Sequence, residues 1–205
     1  RWYLAAAAWE PLLLSGGWGR LDGCLGYRFQ YVRQEIIGLN GWAYEDLKPE
    51  PDGDGQPELY GLSYPGLALT YWVMYHSATA GLAVTLIPWT GLSVQAEAGL
   101  AAPFIADEDD HVLRNKLAKA SGLGFGGYAG LEVRYSWGKA GGGLQPYLIL
   151  GADVLALKAD TQQTQSWYGD DPITAEDDTG TRLTGVDHVI STRQIKLGFT
   201  AGLRY

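Results

Sequence analysis

The chain has one cysteine, Cys24, and three histidines in 205 residues. A lone cysteine forms no internal disulfide, and no cysteine spacing suits a structural zinc site. No run of about 18 apolar residues occurs, which excludes a transmembrane helix. It does not exclude barrel strands, whose hydropathy signal is weak in each segment. Charged residues are scarce at 19%, and cations are outnumbered, giving a net charge of −8. That balance argues against a nucleic-acid partner, since phosphate backbones are bound by neutralising Lys and Arg. The N-terminus does not read as a signal peptide, because Trp9-Glu10-Pro11 interrupts its apolar start. An exported chain would already have lost its leader. What is plentiful is glycine (29), tyrosine (13) and tryptophan (8). This mixture suits closely packed strands with aromatic girdles and does not suit disorder.

The clearest pattern is at the C-terminus. From Gln194 onward, Ile195, Leu197, Phe199, Ala201, Leu203 and Tyr205 alternate with Gln194, Lys196, Gly198, Thr200, Gly202 and Arg204. A period of two is a β-strand with one apolar and one polar face. Similar alternation runs through 21–32, 79–86, 92–100, 123–137 and 147–160. Residues 2–14 are apolar but alternate poorly; Ala5 to Ala8 suit a helix on propensity alone, yet a strand is the reading adopted. Short turns at 88–91 and 138–143 alternate with polar connections at 45–56, 107–122 and 160–189. That asymmetry, repeated over long strands, points to an all-β, transmembrane antiparallel β-barrel with apolar faces toward lipid. The polar faces carry both signs (Asp22, Arg28, Glu97, Glu132, Arg134, Asp153, Lys196, Arg204), which can pair inside a narrow lumen. The competing class is an extracellular or periplasmic β-sandwich. Trp2, Trp18, Trp89 and Trp137 fall near strand ends, as an aromatic belt requires.

About seven strands can be counted. Single-chain bacterial barrels have an even number, and unpaired edges in lipid are prohibitive. The expectation is one barrel domain over 1–205 that lacks leading strands.

The chemically loaded segment is Phe104-Ile105-Ala106-Asp107-Glu108-Asp109-Asp110-His111. It follows an upward strand and so lies at the extracellular mouth. Asp109 and His111, two apart on extended chain, share a face. The carboxylate can orient the imidazole and hold its tautomer, making it a general base for water. Read from the residues alone, a solvated acidic loop is the blander alternative. A calcium loop lacks its glycine and spacing, so no metal ligands are assigned and no cofactor is expected. Elsewhere, Asp187 and His188 are neighbours that point to opposite faces and make a poor dyad. His76 reads as a girdle or lumen residue, Glu97 and Glu132 as lumen ion pairs, and Cys24 as an inert inward residue.

Strand order, the spacing from Tyr75 through the Pro88 turn to His111, and the ending G-F-T-A-G-L-R-Y together resemble the omptin family of outer-membrane proteases. The resemblance spans about 2–205. It implies a ten-stranded barrel, a dyad of Asp109 and His111 that activates water, and a contribution of Asp107 to a pocket for a basic substrate side chain. It also implies an Asp pair facing the dyad, which belongs to the family's N-terminal strands and has no counterpart here. The stretch Tyr27-Arg28-Phe29-Gln30-Tyr31 departs from the family's lipopolysaccharide-binding pattern. The function implied is an endopeptidase in the bacterial outer membrane, active face extracellular, cleaving peptides near basic residues. Its partners would be outer-membrane lipid, a peptide or protein substrate and other surface proteins. A reading from another class is a non-catalytic barrel whose acidic loops bind a cationic partner or scaffold an assembly. A small porin-like or adhesin-like barrel is more distant, because a lumen this full of side chains argues against conduction.

Overall fold

The computed structural model describes residues 1–44, 59–137, 143–172 and 176–204. The expected loop at 45–56, most of the turn at 138–143 and the terminal Tyr205 lie outside these residues. Among the described residues, nine strands form one antiparallel sheet: β1 (Trp2–Trp9), β2 (Leu12–Gly16), β3 (Gly19–Tyr44), β4 (Leu59–Trp89), β5 (Leu92–His111), β6 (Lys116–Leu123), β7 (Phe125–Ser136), β8 (Gln145–Trp167) and β9 (Arg182–Arg204). β1 and β2 both pair with β3. They are one wall strand interrupted at Glu10-Pro11. β6 and β7 both lie between β5 and β8. They are likewise one strand, broken where Gly124 donates its N–H to the Pro103 carbonyl at 2.7 Å. Seven continuous wall strands result among the described residues, as the alternation indicated. The Ala5–Ala8 stretch is strand, since pairing along all of β1 overrides helix propensity.

The sheet is curled tightly. Gln194 on the edge strand β9 accepts from Arg28 Nη2 at 2.9 Å and donates to Gln30 on β3 at 2.9 Å. β3 and β9 lie toward opposite ends of the strand order, so only a strongly coiled sheet lets them meet.

Burial is inverted relative to a soluble domain. Leu123 and Leu197 are each 79% exposed, and Leu131, Phe125, Leu100, Leu82, Leu150, Ile195 and Phe199 are also exposed. On β5 the apolar outward series runs from Val94 to Phe104, about the 9–11 residues a tilted strand needs to cross the hydrocarbon layer. Aromatics bound this belt. Trp18 and Trp89 stand at its turn end, where Tyr135 and Trp137 also meet edge to face at 4.8 Å. Tyr3, Tyr31 and Trp72 form a ladder at the other end, with ring centroids 6.0 Å apart in each pair. Trp2 departs from the expected belt: it pairs with inward-facing Val32 and so lies on the inner face, while Tyr3 takes the outer one. His76 faces outward among Tyr27 and Phe29, a girdle position rather than a lumen one. Leu197→Arg is expected to lower folded-state stability by about 2–4 kcal/mol in bilayers. Its effect should shrink toward the belt edge, and urea titration in vesicles would measure it.

The inner face is not uniformly polar. Val73, Tyr75, Ala101, Ile105, Ala120, Leu155, Leu157, Ala159 and Ile190 form an apolar plug midway along the strands. Below it, Arg20 pairs with Asp22 at 2.6 Å, Glu132 with Arg134 at 3.3 Å and Lys196 with Asp153 at 3.7 Å. Arg28 is held by Gln30 and Gln194 instead of the expected glutamate. Glu97 faces the lower cavity beside Asp153 and Lys196. Cys24 is buried on the inner face and free, as expected. Close packing there depends on two facing glycines. A Cβ on Gly81 would meet Tyr128 Oη at 2.6 Å, and one on Gly99 would meet Tyr128 Cε1 at 2.6 Å. The Tyr128 ring thus lies across both. Gly99→Val is expected to displace that ring and cost about 1–3 kcal/mol, read by the same urea titration.

Candidate functional site at the mouth

Above the plug the strands continue as extended chain beyond the apolar belt. The segment 107–111, expected as part of a polar connection over 107–122, is the end of β5. Only Val112–Arg114 and Asn115 make the turn, with Asn115 in the left-handed region at φ 50°. The connection at 160–189 is shorter than expected for the same reason, because β8 extends to Trp167 and β9 starts at Arg182. Amphipathic alternation fades above the lipid, where both faces meet water, but hydrogen-bonded pairing does not depend on it. The outward residues there pair along or across strands, as in Glu108–Lys119 at 2.6 Å and Arg33–Glu35 at 2.9 Å.

Odd-numbered residues of this stretch face inward. His111 Nε2 lies 2.9 Å from Asp109 Oδ2, and both side chains are about one-third exposed. A carboxylate at that distance can hold the imidazole in one tautomer. The two residues singled out in the sequence thus lie side by side. Tyr71 pairs directly with Asp109 across β4 and β5. Burial, then the charge of Asp107, then Tyr75 and Asp109 push its phenol up, so it remains a protonated donor beside the site.

Asp107 is not simply open to a substrate. Its Oδ2 lies 2.9 Å from His188 Nε2, which arrives from β9. No local pattern joins them, since 81 positions separate the two. His188 does ignore its neighbour Asp187, as opposite strand faces require. Inward at this level stand Gln34, Tyr71, Lys116, Gln163 and Gln165, placed by register with Asp107, Asp109 and His111. Among the described strand residues facing inward here, the carboxylates are Asp107 and Asp109. No second Asp pair opposes the dyad among them.

A clasp absent from the sequence reading holds the turn. Arg114 Nε and Nη2 donate to Asp171 Oδ2 at 2.9 and 2.7 Å, and Trp167 Nε1 reaches the same oxygen at 3.2 Å. Asn115 Nδ2 donates to the Asp170 carbonyl at 2.7 Å, and the Tyr168 N–H donates to the Asn115 carbonyl at 2.8 Å. Tyr168 Oη donates to Asp110 Oδ1 at 2.9 Å. Burial and that carboxylate push the Tyr168 phenol up to about 12, so it keeps its proton. Lys116, over the Trp167 ring at 5.7 Å, is pushed down by burial and then by Arg114. No group of three or more possible metal ligands occurs among the described residues.

No family model matches the sequence, and no curated protein matches it. The fold does match a solved structure, that of the outer membrane protease OmpT from Escherichia coli, with a TM-score of 0.64 at 12% identity. The match takes in 95% of this chain and 60% of that one, so the chain spans under two-thirds of the neighbour's length. At this identity the likeness is one of fold.

Proposed function

We propose that the chain forms part of the wall of an outer-membrane endopeptidase that cuts peptides near basic residues, its active face extracellular. The observation that carries the reading is the 2.9 Å Asp109–His111 contact, set beyond the lipid-facing belt at the mouth of a barrel-type sheet. The likeness to an outer membrane protease supports it at the level of fold. In this mechanism Asp109 holds the Nε2–H tautomer of His111. Nδ1 takes a proton from water as the oxygen attacks the scissile carbonyl, and the imidazolium returns it to the leaving amine. Tyr71 lines the site as a neutral donor, and Asp107 receives a basic side chain of the substrate. Lipid of the outer membrane surrounds the belt, and other surface proteins are potential partners through the connections at this end.

The same reading places further strands between β1 and β9. Neither outer edge is paired among the described residues, and an edge open to lipid leaves backbone groups unsatisfied. The opposing Asp pair of the omptin pattern would arrive on those strands. The test is turnover of an internally quenched peptide with a dibasic centre, by protein folded in detergent, with and without added outer-membrane lipid. Turnover supports the hydrolase. Its absence from a folded barrel turns the reading to a non-catalytic barrel that binds a partner.

A further inference from the structure

His188 and Asp107 meet across the concave face of the wall, since β6 and β8 separate β5 from β9 in the sheet. The histidine backbone is anchored: Thr161 Oγ1 donates to its carbonyl at 3.0 Å. The two side chains are unequally covered, His188 at 28% exposed and Asp107 at 5%. The imidazole is the cover and the carboxylate the covered group. Val73 and Ala120, its neighbours on either adjoining strand, belong to the apolar plug, as does Ile105 two residues before it. A ligand therefore reaches the carboxylate from the mouth, past His188. Asp107 Oδ1 is buried with no hydrogen-bond partner, and Asp109 Oδ1 on the same face is likewise unpartnered. Unmade hydrogen bonds at buried carboxylate oxygens are costly, and a donor brought from outside relieves them.

We propose that His188 is a built-in cap on the Asp107 carboxylate, turned aside as an ammonium or guanidinium group enters. This rests on reading Asp107 as the receiver of a basic side chain and adds the residue that controls entry. An orienting histidine and a capping histidine act with opposite sign. If His188 only aimed the carboxylate, its removal would weaken cation binding. A cap competes for the same oxygen, so its removal strengthens binding. A hydrogen bond to an ionised carboxylate is strong enough for this competition to be worth about tenfold in affinity.

The experiment is calorimetric titration of the detergent-folded full chain with agmatine, a guanidinium that cannot be hydrolysed as a peptide. H188A is expected to bind it about tenfold tighter than the unaltered chain. H188Q, whose amide can still donate to Oδ2, should stay near the unaltered affinity, and D107N should abolish binding in either background. Where H188A does not fold, H188S carries the same expectation. Weaker or unchanged binding on removing the imidazole overturns the cap, and binding that survives D107N overturns the subsite. Because agmatine is not cleaved, failure of peptide turnover would count against the hydrolase alone.

Discussion

Replacing His111 with alanine is expected to lower kcat on a dibasic-centred peptide by about 10²–10⁴-fold, the usual contribution of a positioned general base. The fold should be untouched, because the ring is one-third exposed and is not part of the plug. Asp109→Ala should cost a large part of the same factor. It leaves the imidazole in place but removes the carboxylate 2.9 Å from Nε2 that would orient it. The decisive result is the double variant. Groups that act as one unit lose little more together than the worse of them loses alone. H111A combined with D109A should therefore match H111A within a fewfold. Multiplied losses would show two independent contributions and would separate the 2.9 Å contact from the chemistry. A reduced kcat with KM nearly unchanged would place the loss in the transition state; a raised KM alone would make the pair a binding element.

The strands were legible because lipid imposes a simple rule: where one face meets hydrocarbon, that face must alternate as apolar. The rule holds from Val94 to Phe104 and from Ile195 to Leu203. It lapses in two places. On β8, Leu150 and Val154 face outward while Leu155 and Leu157 face the plug, so both faces are apolar and alternation alone does not reveal the second one. Above the belt, Asp107 to His111 look like a loop by composition, yet continue a ladder with β4 and β6. The local part of the site was nevertheless readable, since a spacing of two on extended chain is a geometric statement. Asp109 and His111 satisfy it. What depends on curvature was not readable. His188 reaches Asp107 only because the sheet coils through two intervening strands, and no local pattern encodes that closure.

The clasp at Arg114 ties the turn after His111 to a distant segment, and breaking it is the second large effect expected. Asp171 is fully buried, and three N–H donors converge on its Oδ2. Arg114→Ala removes two of those donors and the cation among them. Removing the cationic partner of a buried carboxylate costs about 3–5 kcal/mol, and the partial exposure of Arg114 and the donor that remains from Trp167 argue for the lower end. The loss falls on the segment from Tyr168 to Asp171, which lies beyond the end of β8, rather than on the whole sheet. Amide exchange should therefore accelerate at Tyr168, which donates to Asn115, and at Gly180, which donates to Trp167, while Ile105 and Leu157 stay protected. Arg114→Lys should rescue only in part, because an ammonium does not reproduce the guanidinium's fixed pair of donors. His111 immediately precedes the clasped turn, so its ring loses its registration with Asp109 when the turn loosens. Misplacement of about 1 Å at a reacting group can cost up to about 10²-fold in rate. R114A should thus depress kcat through His111 without touching substrate. Unchanged exchange at Tyr168 would show that Asn115, Tyr168 and Trp167 hold the turn without the ion pair. Faster exchange with unchanged kcat would show that the dyad is set by β5 alone, from the pairing of Asp109 with Tyr71 on one side and Ala118 on the other.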